Sequence, residues 1–309
     1  MSIVVIGTAF VDIKGFPEGA YIPTGRNAGD VRYVHGGVAR NVVEDIANLE
    51  LRPTYIGLID DTPMGEGVLQ HLKNHKVDTR YVEKRPDGMG IWLAVFDANG
   101  DVAGSISKRP DSYGLYDILV HQGDAIFADA DSVVIQVDLH KDIVKKALEL
   151  AEKYQIPSFA LVSNMSIAAE RRDLLQRFSC FICNQQEAGI LFLEDYETCT
   201  PQEMESILTD RVARAQIPSM VVTMGAQGAV YASQEGEHGY CPAQNVQVVD
   251  TTGAGDAFCA GVASGITYGL SLSEAVKVGT RLAASVILSS DNVCPRFRPE
   301  EFGLQYPKC

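Results

Sequence analysis

The sequence has no apolar run that approaches the ~18–20 residues needed to cross a bilayer. Positive charge is also scarce, since 26 Lys and Arg stand against 40 Asp and Glu and the net charge is −14. An acidic surface repels nucleic acid and anionic membranes, so neither is an expected partner. Residues 1–7 lack the basic segment and the long apolar segment of a signal peptide, so we expect a cytoplasmic protein.

Three familiar site motifs are absent or incomplete: a dinucleotide-binding turn, a redox cysteine pair and a histidine metal site. Residues 7–12 lack the G-x-G-x-x-G pattern of a dinucleotide-binding turn, which argues against a dehydrogenase. Cys180 and Cys183 are the one close pair among seven cysteines, but alternation along a strand sends them to opposite faces, so we expect two buried thiols. His71 and His75 have the spacing of a metal pair, yet no third ligand lies near them in the sequence, and we interpret them as solvated helix residues.

The sequence does contain a regular alternation of predicted strands and helices. Its 309 residues suit one large α/β domain, or such a domain with a small accessory one. Repeated strand-helix units are typical of a parallel sheet. Strands are predicted at residues 3–6, 30–35, 53–59, 132–137, 158–162, 180–183, 220–223 and 246–249. Helices are predicted at residues 65–75, 142–153, 166–177, 257–268 and 272–288, and two more begin near Val38 and Asn184.

One segment breaks this alternation. Residues 88–97 and 101–108 alternate between two sets of side chains around an Ala-Asn-Gly turn at residues 98–100, which predicts an antiparallel hairpin. We expect this hairpin to pair with the segment before His35.

The chemistry is concentrated in the nonapeptide DTTGAGDAF at residues 250–258, between a predicted strand and a predicted helix. Its glycines allow close backbone approach to a ligand, and the first N–H groups of the helix favour an anion. Asp256 would gain nothing in a loop that only binds phosphate. In a phosphoryl-transfer site it accepts the proton that the acceptor hydroxyl loses. The alternative is an ordinary turn in which Asp256 caps the helix.

This nonapeptide resembles the second signature of the ribokinase (PfkB-type) family of carbohydrate kinases, and the Gly-Gly…Asn spacing of residues 36–41 resembles the first. The resemblance implies a mostly parallel α/β sheet flanked by helices, with a small β-sheet lid. It divides the chain into a core of residues 1–12, 36–87 and 109–309, and a lid of residues 13–35 and 88–108. The implied activity is ATP-dependent phosphorylation of a primary hydroxyl on a ribose-, fructose- or pseudouridine-like sugar or nucleoside.

The resemblance also implies roles for individual residues. Asp256 would be the general base, and we expect the helix N-terminus to lower its pKa below the usual ~3.9. Asp12, placed by the pattern just after the first strand, would bind sugar hydroxyls. Arg40, in Gly-Gly-Val-x-Arg-Asn, resembles the branch that contains pseudouridine kinases; its alternative is a solvated helix residue. The anion hole would be formed by Gly253, Ala254 and Gly255, and the acceptor would be bound by Asp12, Gly36, Gly37, Arg40 and Asn41.

A third set of residues is expected at the nucleotide. Asn184 and Glu187 match the family's N-x-x-E motif, in which the Glu holds Mg²⁺ through water, although a capping box would explain the same spacing. The nucleotide itself would be bound by Asn184, Thr223, Gly225, Gly228 and Asn292. ATP and Mg²⁺ are therefore the implied cofactors, and a monovalent cation is left open.

Several alternatives remain open at this level. A phosphosugar acceptor would need a basic cluster, for which the candidates are Arg26, Arg32, Arg40, Lys108 and Arg109. A non-catalytic sugar or nucleotide sensor is the non-enzyme alternative. Trp92, the single tryptophan, is expected to face the sugar, a partner subunit or the core. Lids of this family often pair between subunits, so a homodimer through the lid is a further expectation.

Overall fold

A computed structural model describes residues 1–304 of the chain, which form two β-sheets and the helices packed around them. The strands are β1 (Ile3–Ile6), β2 (Phe10–Pro17), β3 (Gly29–Gly36), β4 (Thr54–Ile59), β5 (Asp78–Lys84), β6 (Gly90–Phe96), β7 (Val102–Lys108), β8 (Ser132–Gln136), β9 (Ser158–Leu161), β10 (Cys180–Asn184), β11 (Ser219–Thr223), β12 (Ala229–Ser233) and β13 (His238–Cys241). The α-helices are α1 (Val38–Asn48), α2 (Pro63–Asn74), α3 (Gly114–Ala128), α4 (Lys141–Tyr154), α5 (Met165–Ala169), α6 (Arg172–Leu175), α7 (Gln185–Phe192), α8 (Pro201–Ala215), α9 (Ala254–Thr267) and α10 (Leu272–Ile287).

The large sheet has nine strands in the order β13-β12-β11-β10-β9-β8-β1-β4-β5. It is parallel from β5 to β11, and β12 and β13 extend it antiparallel. Short, wholly buried strands such as β1 are expected where helices cover both faces of a parallel sheet. No helix in the described part of the chain is long and apolar enough to span a membrane.

Two apolar clusters lie on the opposite faces of this sheet. Along β1, Val5 packs in the first cluster, whereas Val4 and Ile6 pack in the second. The two nearby thiols follow the same alternation, since Cys180 belongs to the first cluster and Cys183 to the second, and both are buried and free. The sequence prediction for these cysteines is therefore confirmed.

The small sheet has four strands in the order β3-β2-β6-β7. The hairpin of β6 and β7 pairs with the earlier segment through β2, a strand that the sequence analysis did not predict and that begins at Phe10. Asp12 consequently lies inside a strand of the small sheet and not directly after β1, where the sequence pattern places it. The register places Asp12 beside Trp92 and Trp92 beside Ser107, so these three side chains share one face of the sheet.

Two other sequence predictions are wrong. Residues 246–249 form no strand, because Val248 and Val249 are about 60% exposed and the edge beyond β12 is already occupied by β13. The predicted helix at residues 166–177 is divided into α5 and α6. The helix predicted at residues 257–268 is present as α9, but it begins at Ala254, inside the nonapeptide.

Candidate active site

Two helices begin at glycines where the sheets meet. Gly37, the residue before α1, has a φ of 95°, and a Cβ there would lie 2.7 Å from the Thr8 carbonyl oxygen. A Cβ on Gly36 would lie 2.8 Å from both carboxylate oxygens of Asp12. Only glycine allows this approach, so the first signature brings α1 against β2 and places Asn41 one turn into the helix.

The start of α9 repeats this arrangement. Gly253 precedes the helix with a φ of 83°, and a Cβ there would lie 2.0 Å from the Asn292 carbonyl oxygen. No side chain caps α9. The sequence analysis expects the Ala254 N–H to bind an anion. In the structure this group instead donates to the Thr251 carbonyl at 3.2 Å. Within residues 1–304, the N–H groups of Gly253 and Gly255 have no hydrogen-bond acceptor. These two groups therefore remain available to donate to an anion.

Asp256 lies in the first turn of α9 and is held by the first signature. Its Oδ2 accepts a hydrogen bond from Asn41 Nδ2 at 2.6 Å. The Asn41 amide is oriented in turn, because its Oδ1 accepts from the Arg40 guanidinium. The two signatures, 215 residues apart in sequence, are thus joined at this carboxylate.

The pKa of Asp256 is raised from 3.8 to about 7. Removal from water is the main cause; the Asn41 hydrogen bond and the Arg40 charge oppose it, and the charge of Glu187 adds to it. The side chain keeps some exposure toward the cavities, but protein surrounds it closely enough for desolvation to prevail. The predicted lowering by the helix N-terminus is therefore wrong in direction. A carboxyl group with a pKa near neutral pH is suited to general base catalysis.

A cavity of about 490 Å³ opens above Asp256, between the two sheets. Burial raises the pKa of Asp12 on its wall, against the nearby charges of Lys14 and Arg40. Trp92 lies on this wall too, so it faces the cavity. The polar side chains that line the cavity are Thr8, Asp12, Asn41, Ser107, Arg109, Ser112, Gln136, Asp138, Ser163, Asn164, Thr252, Asp256 and Asn292.

Several of these polar residues were missed in the sequence analysis. Gln136 Oε1 accepts from the Thr8 N–H at 2.9 Å, and Gln136 Nε2 donates to Asp138 at 3.3 Å. Asp138 also accepts from the Ser163 N–H at 3.0 Å. Gln136 ends β8, and Asp138 follows it, at the carboxyl edge where open α/β sheets bind their ligands. Their position after a predicted strand was the signal that would have identified them.

Arg40 lies behind this cavity and does not line it. Its side chain is 1% exposed and donates to Glu44, to Asn41 and, at 2.5 Å, to the His35 carbonyl. The geometry makes Arg40 a positioning residue for Asn41, so neither substrate contact nor a solvated position, the two sequence interpretations, fits it.

Asn292 also differs from its predicted place. Its Nδ2 donates to the His35 carbonyl at 2.7 Å, and its Oδ1 accepts from Arg40 at 3.3 Å. The residue lines the cavity above Asp256, which we call the acceptor cavity after the ligand that the resemblance implies, and is absent from the second cavity, described next. The structure does not bring Asn292 to the other predicted nucleotide residues.

A second cavity, of about 150 Å³, lies on the other side of the α9 N-terminus. Thr223 at the end of β11 and the glycines Gly225 and Gly228 form one wall, and Gly255 forms part of another. A Cβ on Gly255 would meet nothing within 4 Å, so this glycine borders open space. The remaining lining is mainly apolar: Ala243, Val246, Ala254, Phe258, Ala283, Ala284 and Ile287.

Glu187 stands between these cavities. A small cavity of about 110 Å³ contains Glu187, Asn184 and Thr223 together with Gly255 and Asp256. Asn184 and Glu187 form a capping box, with Glu187 Oε2 accepting from the Asn184 N–H at 2.8 Å. Burial raises the pKa of Glu187, and the Asn184 hydrogen bond opposes that shift. Because the box uses one carboxylate oxygen, the other oxygen fits the needs of a largely hydrated Mg²⁺.

The basic residues considered for a phosphosugar do not assemble at the acceptor cavity. Arg109 alone among the five lines it. Lys108 pairs with Asp87 at 2.6 Å, and Arg32 pairs with Asp30 at 2.7 Å.

The comparison with known families gives the class of the protein, a carbohydrate or nucleoside kinase. The pfkB family of carbohydrate kinases has a sequence profile that matches residues 1–293, and the chain belongs to this family. The family and fold class expected from the two signatures are confirmed.

The chain is also similar to individual named proteins. A guanosine-inosine kinase from Exiguobacterium acetylicum is 37% identical over 292 residues, which cover 94% of this chain and 95% of the relative. A pseudouridine kinase from Escherichia coli K12 is 23% identical over 279 residues, with coverage of 89% and 87%. Among solved structures, Arabidopsis thaliana ribokinase complexed with ribose and ATP superposes with a TM-score of 0.83 at 20% identity, covering 99% of both chains.

Proposed function

We propose that this kinase transfers the γ-phosphoryl group of ATP to the primary 5′-hydroxyl of a purine nucleoside of the guanosine and inosine type. One observation carries the proposal: Asp256 lies where the acceptor cavity and the cavity at Gly255 meet, fixed by Asn41. A base at such a junction can touch a hydroxyl in one cavity while phosphates occupy the other.

The acceptor cavity supports a nucleoside over a small free sugar. Its volume of about 490 Å³ falls within the usual range for small-molecule sites. Asp12 would accept hydrogen bonds from ribose hydroxyls, and Trp92 offers an aromatic face beside it. The 37% identity with a guanosine-inosine kinase, against 23% with a pseudouridine kinase, favours a purine nucleoside.

The second cavity suits a nucleotide. Its apolar wall from α10 would cover an adenine ring, and the loop from Thr223 to Gly228 would contact ribose or phosphates. Glu187 would hold Mg²⁺ through water, with Asn184 orienting its carboxylate. When bound, Mg²⁺ neutralises phosphate charge during transfer.

In the proposed reaction, the 5′-oxygen of the nucleoside bonds to the γ-phosphorus of ATP while the bond between that phosphorus and the ADP oxygen breaks. Asp256 accepts the proton that the 5′-hydroxyl loses. Because the transition state is loose, the base mainly positions the hydroxyl, and strong basicity is not required. The N–H groups of Gly253 and Gly255 donate to the oxygens of the transferred group. The small sheet would act as a lid that keeps water from the phosphates.

The outer part of the small sheet also supports a homodimer. Tyr33, Leu93 and Ile106 lie in neighbouring register on one face and are 61%, 40% and 70% exposed. The pairing partner would be the same face of a second copy. Light scattering after size exclusion should give twice the 33.5 kDa chain mass, and Ile106→Lys should restore the monomer.

The test of the function is ADP release from Mg·ATP with a panel of nucleosides, free sugars and sugar phosphates. Guanosine and inosine should give the highest kcat/KM. A preference for pseudouridine or ribose would contradict the purine assignment while leaving the kinase intact. A preference for sugar phosphates would instead make Arg109 the specificity residue. Release of ADP without any phosphorylated product would contradict the acceptor site altogether.

A further inference from the structure

Away from the site described above, two histidines and a glutamate meet between α1 and α2. His71 and His75 lie one turn apart on α2, and Glu44 reaches them from α1. One ligand atom of each residue lies within 4.8 Å of the others. The sequence analysis missed this third ligand, because Glu44 precedes His71 by 27 positions.

We propose that Glu44, His71 and His75 bind a divalent transition metal of the Zn²⁺ class. Glu44 Oε1 lies 2.8 Å from His71 Nε2 and 3.5 Å from His75 Nε2. Tetrahedral Zn²⁺ with bonds of ~2.0–2.1 Å separates its ligand atoms by ~3.3 Å. These two distances lie on either side of that value, and the three ligand atoms all lie within 4.8 Å of one another, close to the spacing that the ion needs.

His75 has one ring nitrogen that is free to bind a metal, whereas His71 Nε2 would first have to give up its proton to Glu44 or to solvent. His75 Nδ1 lies 2.9 Å from the His71 carbonyl oxygen, to which it can only donate. The bond therefore assigns the proton of neutral His75 to Nδ1 and leaves a lone pair on Nε2, on the side of Glu44. Metal-binding histidines commonly make such a bond through their second nitrogen.

Glu44 is equally well fixed. It is 2% exposed, and its second oxygen is paired with the buried Arg40 guanidinium. Two imidazoles and one carboxylate favour Zn²⁺, Co²⁺ or Ni²⁺ over Mg²⁺, which prefers oxygen ligands.

The cluster is accessible to an ion from solvent. It lines a cavity of about 1040 Å³, and the side chains of His71 and His75 are 37% and 23% exposed. A fourth coordination position would therefore open to water or an added ligand, as in metal sites with three protein ligands.

The cluster is also connected to the kinase site. Glu44 holds Arg40, Arg40 holds Asn41, and Asn41 holds Asp256.

The test is Zn²⁺ titration by calorimetry on the full, untagged chain, without ATP and with excess Mg²⁺. One Zn²⁺ per chain should bind, and His71→Ala or His75→Ala should weaken binding ~100-fold. His238→Ala is the matched control: it removes an exposed histidine that pairs with Glu205 at 2.7 Å, and should leave Zn²⁺ binding unchanged. Melting curves would verify that the variants are folded.

Co²⁺ substitution gives a second readout that requires no variant. The proposal predicts visible d–d bands of a four-coordinate nitrogen and oxygen site. A strong near-ultraviolet thiolate band would assign the ion to cysteines and overturn the proposal. Absence of stoichiometric Zn²⁺ binding, or equal binding by His71→Ala and His238→Ala, would also overturn it.

Discussion

Two adjacent helices, α9 and α10, begin in contrasting ways. In α10, Ser271 and Glu274 form a capping box, so the first-turn carboxylate returns to its own backbone. In α9, the equivalent carboxylate is Asp256, three residues after Gly253, and it bonds instead to Asn41 of α1. The helices α7 and α8 follow the pattern of α10.

The contrast distinguishes a carboxylate that caps its own helix from one that contacts another helix and lines a cavity. A capping box satisfies two N–H groups and stabilises the helix. At α9 the N–H groups of Gly253 and Gly255 are left without acceptors among residues 1–304, and burial raises the pKa of Asp256 to about 7. The start of α9 thus lacks the stabilisation that a capping box gives, and its unpaired N–H groups are suited to bind a negatively charged ligand.

Replacing Asp256 or Glu274 by its amide should give the largest difference in kcat between two variants. Asp256→Asn should lower kcat ~10²-fold or more, because the proton acceptor is lost while size is kept. Glu274→Gln should leave kcat unchanged, since Gln also closes a capping box. ATP binding, measured by fluorescence titration, should be similar in both variants. Near-normal turnover by Asp256→Asn would contradict the role of Asp256.

The open space beside Gly255 offers the next comparison. An added Cβ meets nothing within 4 Å, so Gly255→Ala should fold normally and yet occupy the volume where phosphates are expected. We expect the KM for ATP to rise on the order of tenfold, since one methyl group displaces a close backbone contact. Gly19→Ala, also without neighbours within 4 Å, is the control. Equal KM values for the two variants would place the nucleotide elsewhere.

The capping box of α7 sharpens the comparison, because its carboxylate borders the small cavity that also contains Gly255 and Asp256, whereas the carboxylates of the α8 and α10 boxes border none of the three cavities described around α9. Glu187→Gln keeps the cap but loses the charge, so the Mg²⁺ concentration for half-maximal activity should rise about tenfold. Glu203→Gln, in the capping box of α8, should leave it unchanged. A similar Mg²⁺ dependence in both variants would make Glu187 purely structural.

Stability should show the smallest effect, with a definite pH dependence. As pH rises from about 4 to 7, the unfolded state ionises Asp256 while the folded state keeps it protonated, so the wild type loses stability over this window. The amide introduced by Asp256→Asn does not titrate, so the melting temperature of this variant should exceed that of the wild type at pH 8. The difference should vanish near pH 4. A constant difference across pH would mean that the pKa is not raised.

Local patterns in the sequence sufficed for the parallel sheet and for the two glycine-rich helix starts. The sheet depends on short-range alternation of strands and helices, and the helix starts depend on the positive φ of Gly37 and Gly253. Both features can be identified from a short stretch of sequence. The β-branched residues 246–249 misled the strand prediction, because a strand also needs a neighbour, and β13 already fills that edge.

The tertiary environment of each side chain could not be predicted in the same way. Arg40 is buried by contacts with Glu44, Asn41 and Asn292, the last of which lies 252 positions away. The pKa of Asp256 depends on desolvation by residues from several elements, whereas the helix N-terminus was the one local influence that the sequence displayed.

The most direct test of the account is the pH dependence of kcat/KM for guanosine in the wild type and in Asp256→Asn. The account predicts a wild-type rate that falls on the acid side with an apparent pKa near 7, and a residual Asp256→Asn activity whose only acid-side fall is the part that ATP ionisation causes in both proteins. Comparison with the variant removes the contribution of ATP ionisation, which both share. The same acid limb in both proteins would contradict the assignment of Asp256 as the base.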